Sequence, residues 1–200
     1  MCQRFKNYFK MKNLMLIFFS LVMIFSCKEN DTKPVKDEEH GNSIFLLDSK
    51  WQNQDAKELQ LKDLKGKNLV VVMIFTSCQT ACPLLVADMK RVESKIDKNV
   101  LKNTSLVLVS IDPENDTPAV LKKFAQKENI DREPYTFLRG DLESTRELAN
   151  VLAVKYKEIT PIVFSHSNII SVFDKNGEMV SQAEGTIKAE AIAKAVNALK

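Results

Sequence analysis

The stretch Val70–Met89, VVVMIFTSCQTACPLLVADM, decides how the rest of the chain is read. Val70 to Phe75 is a nearly unbroken run of β-branched and aromatic side chains, which suits a strand buried on both faces of a sheet. Beyond it, Leu85, Met89, Val92 and Ile96 recur at three- and four-residue steps. Pro83 stands at the front of that pattern, where a missing N–H costs a helix least. Cys78 and Cys82 therefore fall between a strand end and a first helical turn. Unpaired N–H groups and the positive end of the helix dipole favour thiolate there. Both sulfurs are expected to be more nucleophilic, and better metal ligands, than exposed cysteines. Their four-residue offset lets them converge on one side.

Working outward, Ser105 to Ile111 repeats the buried-strand signature, and DPENDTP follows with Asp116 or Thr117 as a helix cap and Pro118 at the first helical position. Turn and cap preferences account for that acidic loop without any chemistry. Val120, Leu121 and Phe124 give the next helix an apolar side, and Tyr135 to Leu138 forms a short strand. Asp141 opens a third helix through Leu142, Leu148, Leu152 and Val154, ending near Tyr156. A loop, KEITPIVFSHS, then delivers His166 to a strand from Asn168 to Phe173. Asn176-Gly177, a strong hairpin signal, joins that strand to a partner beginning at Glu178. A helix from about Ile187 to Leu199 closes the chain, with Ile192 and Val196 facing inward. Towards the N-terminus, Ser43 to Leu47 reads as a first strand, and Leu59, Leu61 and Leu64 mark a short amphipathic piece before a turn at Gly66. Strands alternating with helices, then a terminal hairpin and helix, argue an α/β domain with a mixed central sheet.

The first part of the chain has a different character. Met1 to Lys12 carries only positive charge, and Leu14 to Phe25 is apolar except for Ser20, too short for a comfortable membrane span. This is the pattern of an export signal. Ile24-Phe25-Ser26-Cys27 resembles a bacterial lipobox, so residues 1–26 are expected to be a lipoprotein signal peptide and Cys27 the lipidated N-terminus. Residues 27–42, rich in charge and poor in apolar side chains, form a flexible tether, and residues 43–200 form one domain held extracytoplasmically at a membrane. The formal charge is +3, but Arg4, Lys6, Lys10 and Lys12 precede Cys27 with no acid among them, which leaves −1 for the remainder. That balance argues against nucleic acid as a partner.

Four readings of the two thiols compete. A structural disulfide would close too small a loop to constrain the unfolded chain much. Structural zinc wants four ligands, and the chain offers one short-spaced pair. Thiol redox catalysis needs an accessible thiolate and a resolving thiol, and both are available. Cu(I) is soft, and two thiolates with an imidazole such as His166 would give it a three-coordinate site that excludes hard ions. A peroxidase of the peroxiredoxin type fits less well, since Thr76 stands two residues before Cys78 rather than three.

LKDLKGK (61–67), IFTSCQTACPLL (74–85), VSIDPENDTPAVLKKFA (109–125), YTFLRGD (135–141) and FSHSNIISVFDKNG (164–177) together resemble the Sco (SenC) family of copper proteins that serve cytochrome c oxidase assembly. The resemblance covers roughly Ser43 to Leu199. It implies a thioredoxin-like fold, with Cys78, Cys82 and His166 as copper ligands. The implied cargo is Cu(I), with Cu(II) as the other state in which copper could arrive, and the implied recipient is the CuA site of oxidase subunit II. Gln79 stands where many relatives have proline, and Ser165 where many have aspartate. On this reading the protein is a carrier more than an enzyme. The alternative is a thiol-disulfide oxidoreductase of the same fold, with Cys78 attacking and Cys82 resolving, that keeps the recipient's cysteines reduced.

Overall fold

The computed structural model describes residues 41–78, 81–160 and 163–199. The expected signal peptide, Cys27 and nearly all of the tether lie outside them. The strand expected from Val70 is β3, Asn68–Ile74, and every residue in it is buried. Its neighbours explain why. β4 (Thr104–Ser110) runs parallel on one side, with Val71 opposite Val107, and β8 (Ile169–Phe173) runs antiparallel on the other, with Val71 opposite Ser171. β5 (Tyr135–Arg139) continues the parallel set beyond β4. β1 (Lys50–Asn53) and β2 (Glu58–Gln60) add an antiparallel edge there, and β9 (Met179–Glu184) closes the opposite edge. The order β2-β1-β5-β4-β3-β8-β9 makes a mixed seven-stranded sheet in a thioredoxin-like arrangement.

Parallel strands need crossovers, and these carry the helices α1 (Ala81–Lys95), the short α2 (Lys98–Leu101) and α3 (Pro118–Lys127). α4 (Leu142–Val151) follows β5, and α5 (Ala189–Asn197) packs against α1 and β9. Leu85, Met89 and Val92 of α1 and Ile192 and Val196 of α5 are all essentially inaccessible. Each such side chain contributes about 1.5–3 kcal/mol by leaving water, so the apolar spacing read from the sequence is what fixes α1 on the sheet. Thr117 caps α3 by accepting the Val120 N–H, with Pro118 at its first position.

Three segments differ from expectation. Ser43 to Leu47 is not a strand: Ile44–Leu46 is a turn of 3-10 helix, and the first strand begins at Lys50. The Ser43 hydroxyl accepts the Phe45 N–H at 3.3 Å and donates to the Asn176 carbonyl at 2.5 Å, while the Ile44 N–H reaches the Gly177 carbonyl at 2.9 Å. The segment thus satisfies its backbone on the β8–β9 turn, where a side chain at Gly177 would meet Ser43 Oγ at 2.5 Å. α4 ends at Val151, short of Tyr156, because Ala153 adopts φ 53 and the Val154 N–H closes back on the Ala149 carbonyl at 2.8 Å. That closure buries Val154, so the apolar spacing outlasts the helix. The segment expected as a loop before His166 holds two antiparallel strands, β6 (Tyr156–Thr160) and β7 (Val163–His166), with Tyr156 opposite His166. Among the described residues, no helix is long and apolar enough to cross a membrane.

Candidate functional site

Where β3 ends, Phe75 is still buried and the chain turns through Thr76 and Ser77 into α1. This turn presents the two thiols. The Cys78 N–H returns to the Phe75 carbonyl at 3.3 Å, and the Cys78 sulfur accepts the N–H of Cys82 at 3.3 Å. The Cys82 sulfur accepts the Phe75 N–H at 3.4 Å, and the two sulfurs are themselves in hydrogen-bonding contact. The convergence expected from their spacing is therefore realised.

One expectation needs correction. Cys78 is half-buried, and a helical N–H does reach its sulfur, but Cys82 is wholly inaccessible. Burial pushes the Cys82 thiol far above its ordinary value, and the neighbouring Cys78 and Asp116 add to the rise, with only the Phe75 N–H opposing them. A helix N-terminus does not make a thiolate of a sulfur sealed in the core. The pair is therefore asymmetric, with a half-buried Cys78 backed by an enclosed Cys82 whose thiolate burial disfavours.

His166 ends β7, and the chain after it leads directly into β8. Because β8 runs antiparallel to β3, with Ile170 opposite Val72, the residues just before β8 lie at the sheet edge where β3 ends. The fold thus brings the backbone of His166 to the edge that carries the dithiol. Its side chain lies outside the described residues, as do Gln79 and Thr80.

Asp116 belongs to the site, whereas the sequence offers it only as a candidate helix cap in an acidic turn. It is 1% exposed, and one carboxylate oxygen accepts the Thr76 hydroxyl, while the other accepts the Thr76 N–H at 3.2 Å and the Ser110 hydroxyl at 2.6 Å. Burial raises the pKa of this carboxyl, and the bonds from Ser110 and Thr76 oppose that only in part. The available signal was topological, since a loop after β4 stands beside the loop after β3 whenever the two strands are parallel neighbours.

A model of the SCO1/SenC family matches residues 38–200. The SCO1 protein homolog of Bacillus subtilis is 37% identical over 97 residues, which is 48% of this chain and 50% of that protein, so the chain spans about half the length of this relative. The crystal structure of a SCO1/SenC family lipoprotein from Bacillus anthracis superposes with a TM-score of 0.68 at 28% identity, covering 75% of this chain and 91% of that one. Arabidopsis thaliana ScoI, solved with copper bound, superposes with a TM-score of 0.67 at 21% identity, covering 75% and 94%.

Proposed function

The chain belongs to the SCO1/SenC family, whose members bind copper and serve cytochrome c oxidase assembly, and on that premise we propose that it is a copper carrier. Cys78, Cys82 and His166 hold Cu(I), and the ion passes by ligand exchange to the CuA site of oxidase subunit II. The observation that carries this reading is the pair of neighbouring thiols at the end of β3, with the Cys82 N–H on the Cys78 sulfur, one residue half-buried and the other enclosed. Soft thiolates select Cu(I) over hard ions, and an enclosed thiolate keeps water and competing ligands from one side of the ion. The half-buried Cys78 leaves a side from which a recipient's ligand can enter. Cys27 as a lipid anchor, with the domain facing the extracytoplasmic space, would keep the carrier at the membrane where such a recipient resides.

The same asymmetry favours a second reading, a thiol-disulfide oxidoreductase in which Cys78 attacks and the enclosed Cys82 resolves. Anaerobic Cu(I) titration of the reduced protein against a competing chelator, with Cys78→Ser, Cys82→Ser and His166→Ala made singly, separates the two. A three-ligand carrier loses affinity in all three variants. Wild-type affinity in His166→Ala removes the imidazole from the site, and wild-type affinity in either cysteine variant removes the carrier reading.

A further inference from the structure

We propose that Asp116 is the positioning residue of the dithiol turn: from the loop after β4, its buried carboxylate grips Thr76, two residues ahead of Cys78, and fixes the path by which the chain leaves β3 and enters α1. The proposal deepens the copper reading and rests on it for the metal, though not for the thiols. Both carboxylate oxygens are engaged, one by the Thr76 hydroxyl and the other by the Thr76 N–H and the Ser110 hydroxyl. No cation pairs with Asp116 among the described residues, and Thr117, not Asp116, caps α3. A buried carboxylate without a cation is costly, and here it is held by donors that converge from two strand ends.

The grip is rigid at its own end as well. Ser110, fully buried as the last residue of β4, accepts the Asp112 N–H at 3.0 Å, and the Asp116 N–H closes on the Asp112 carbonyl at 2.9 Å. At the other end, the turn from Phe75 to Cys78 is tied to both cysteines, because Phe75 donates its N–H to Cys82 Sγ and accepts the backbone N–H of Cys78 at its carbonyl. Thr76 is the link between these two frames. Released from Asp116, it lets Phe75 and Cys78 shift, and the sulfurs shift with them.

The test uses the full-length chain with Asp116→Ala, Asp116→Asn and Thr76→Val, and two measurements. The first is the equilibrium between the Cys78–Cys82 disulfide and dithiothreitol, in which two electrons and two protons pass from the reagent to the protein sulfurs as the reagent closes its own disulfide. The second is anaerobic Cu(I) affinity. Asp116→Ala removes every contact and is expected to move both constants by about tenfold, the scale of a lost charged hydrogen-bond set. Asp116→Asn is expected to stay within about threefold of wild type, since its carbonyl can take the Thr76 N–H and the Ser110 hydroxyl while its amide donates to the Thr76 hydroxyl. Thr76→Val keeps only the main-chain contact and should move both constants in the direction of the Ala variant, by less. Wild-type constants in a folded Asp116→Ala, or an Asn variant as impaired as Ala, overturn the proposal. If Asp116→Ala fails to fold, unchanged constants in Thr76→Val overturn it instead. A wild-type protein that binds no Cu(I) removes the copper reading, and the thiol equilibrium still tests Asp116.

Discussion

Cys82 and Cys78 differ first in who can reach them. The inner sulfur is wholly enclosed, with Val86 and Leu85 equally buried on the helix that carries it, while the outer one stands at the turn with a helical N–H on it. Alkylation needs both access and thiolate, and Cys82 lacks both in the native state. Iodoacetamide at neutral pH should therefore modify Cys78 faster than Cys82 by about tenfold or more, with Cys82 reacting fully once the chain is denatured. Peptide mapping by mass spectrometry after timed quenching checks this. Equal native rates would mean that the turn opens freely and that the asymmetry assigned to the pair does not hold in solution.

At the scale of elements, α1 is the part that must stay put for the turn to keep its shape, and its last turn is tied across to the entry of β5. The Arg132 guanidinium donates to both oxygens of Glu93, at 2.7 and 3.0 Å, and the Tyr135 hydroxyl donates to the same carboxylate at 2.7 Å. Burial disfavours the Glu93 charge, but these donors outweigh it and hold the carboxyl below its ordinary value of 4.5. A folded value below the unfolded one stabilises fully above 4.5, and the gain is lost as pH falls through the lower, folded value. Glu93→Gln should cost about 1 kcal/mol near neutral pH, since Arg132 is half-exposed and its pairing is screened. Urea midpoints measured from neutral pH down through that window should show the variant and wild type converging in acid. A gap that persists undiminished there would assign the effect to packing. The elements themselves were legible wherever burial or turn chemistry leaves a pattern. β3 reads as a strand because both faces are covered, Asn176-Gly177 marks the β8–β9 turn, and Thr117-Pro118 starts α3. The 3-10 turn at Ile44 was not legible, because two buried apolar side chains in a row fit either conformation. Nor was the role of Asp116, since its hydrogen bonds to Thr76 span forty positions and exist only once β3 and β4 lie side by side. The burial of Cys82 escaped for a related reason: the helix-terminus rule sees backbone dipoles and not what packs around the sulfur.

For the molecule as a whole, the two thiols have two exclusive uses, and the fold's stability should report which is in force. Copper binding and a Cys78–Cys82 disulfide draw on the same sulfurs, and a disulfide has no thiolate left to donate. A ligand that binds only one form of the folded protein stabilises only that form, by about 2.7 kcal/mol when its free concentration is a hundred times its dissociation constant. Anaerobic Cu(I) held by a chelator buffer should therefore raise the unfolding midpoint of the reduced protein and leave that of the oxidised protein where it was, and reduction should restore the response. Acid should erode the effect, because each thiol gives up a proton when the ion binds and His166 must be neutral to join them. The stabilisation in the reduced protein should thus grow as pH rises, at fixed free Cu(I). A midpoint that rises equally in both redox states would mean that copper is held away from Cys78 and Cys82, and the carrier reading, with its ligands, would have to be withdrawn.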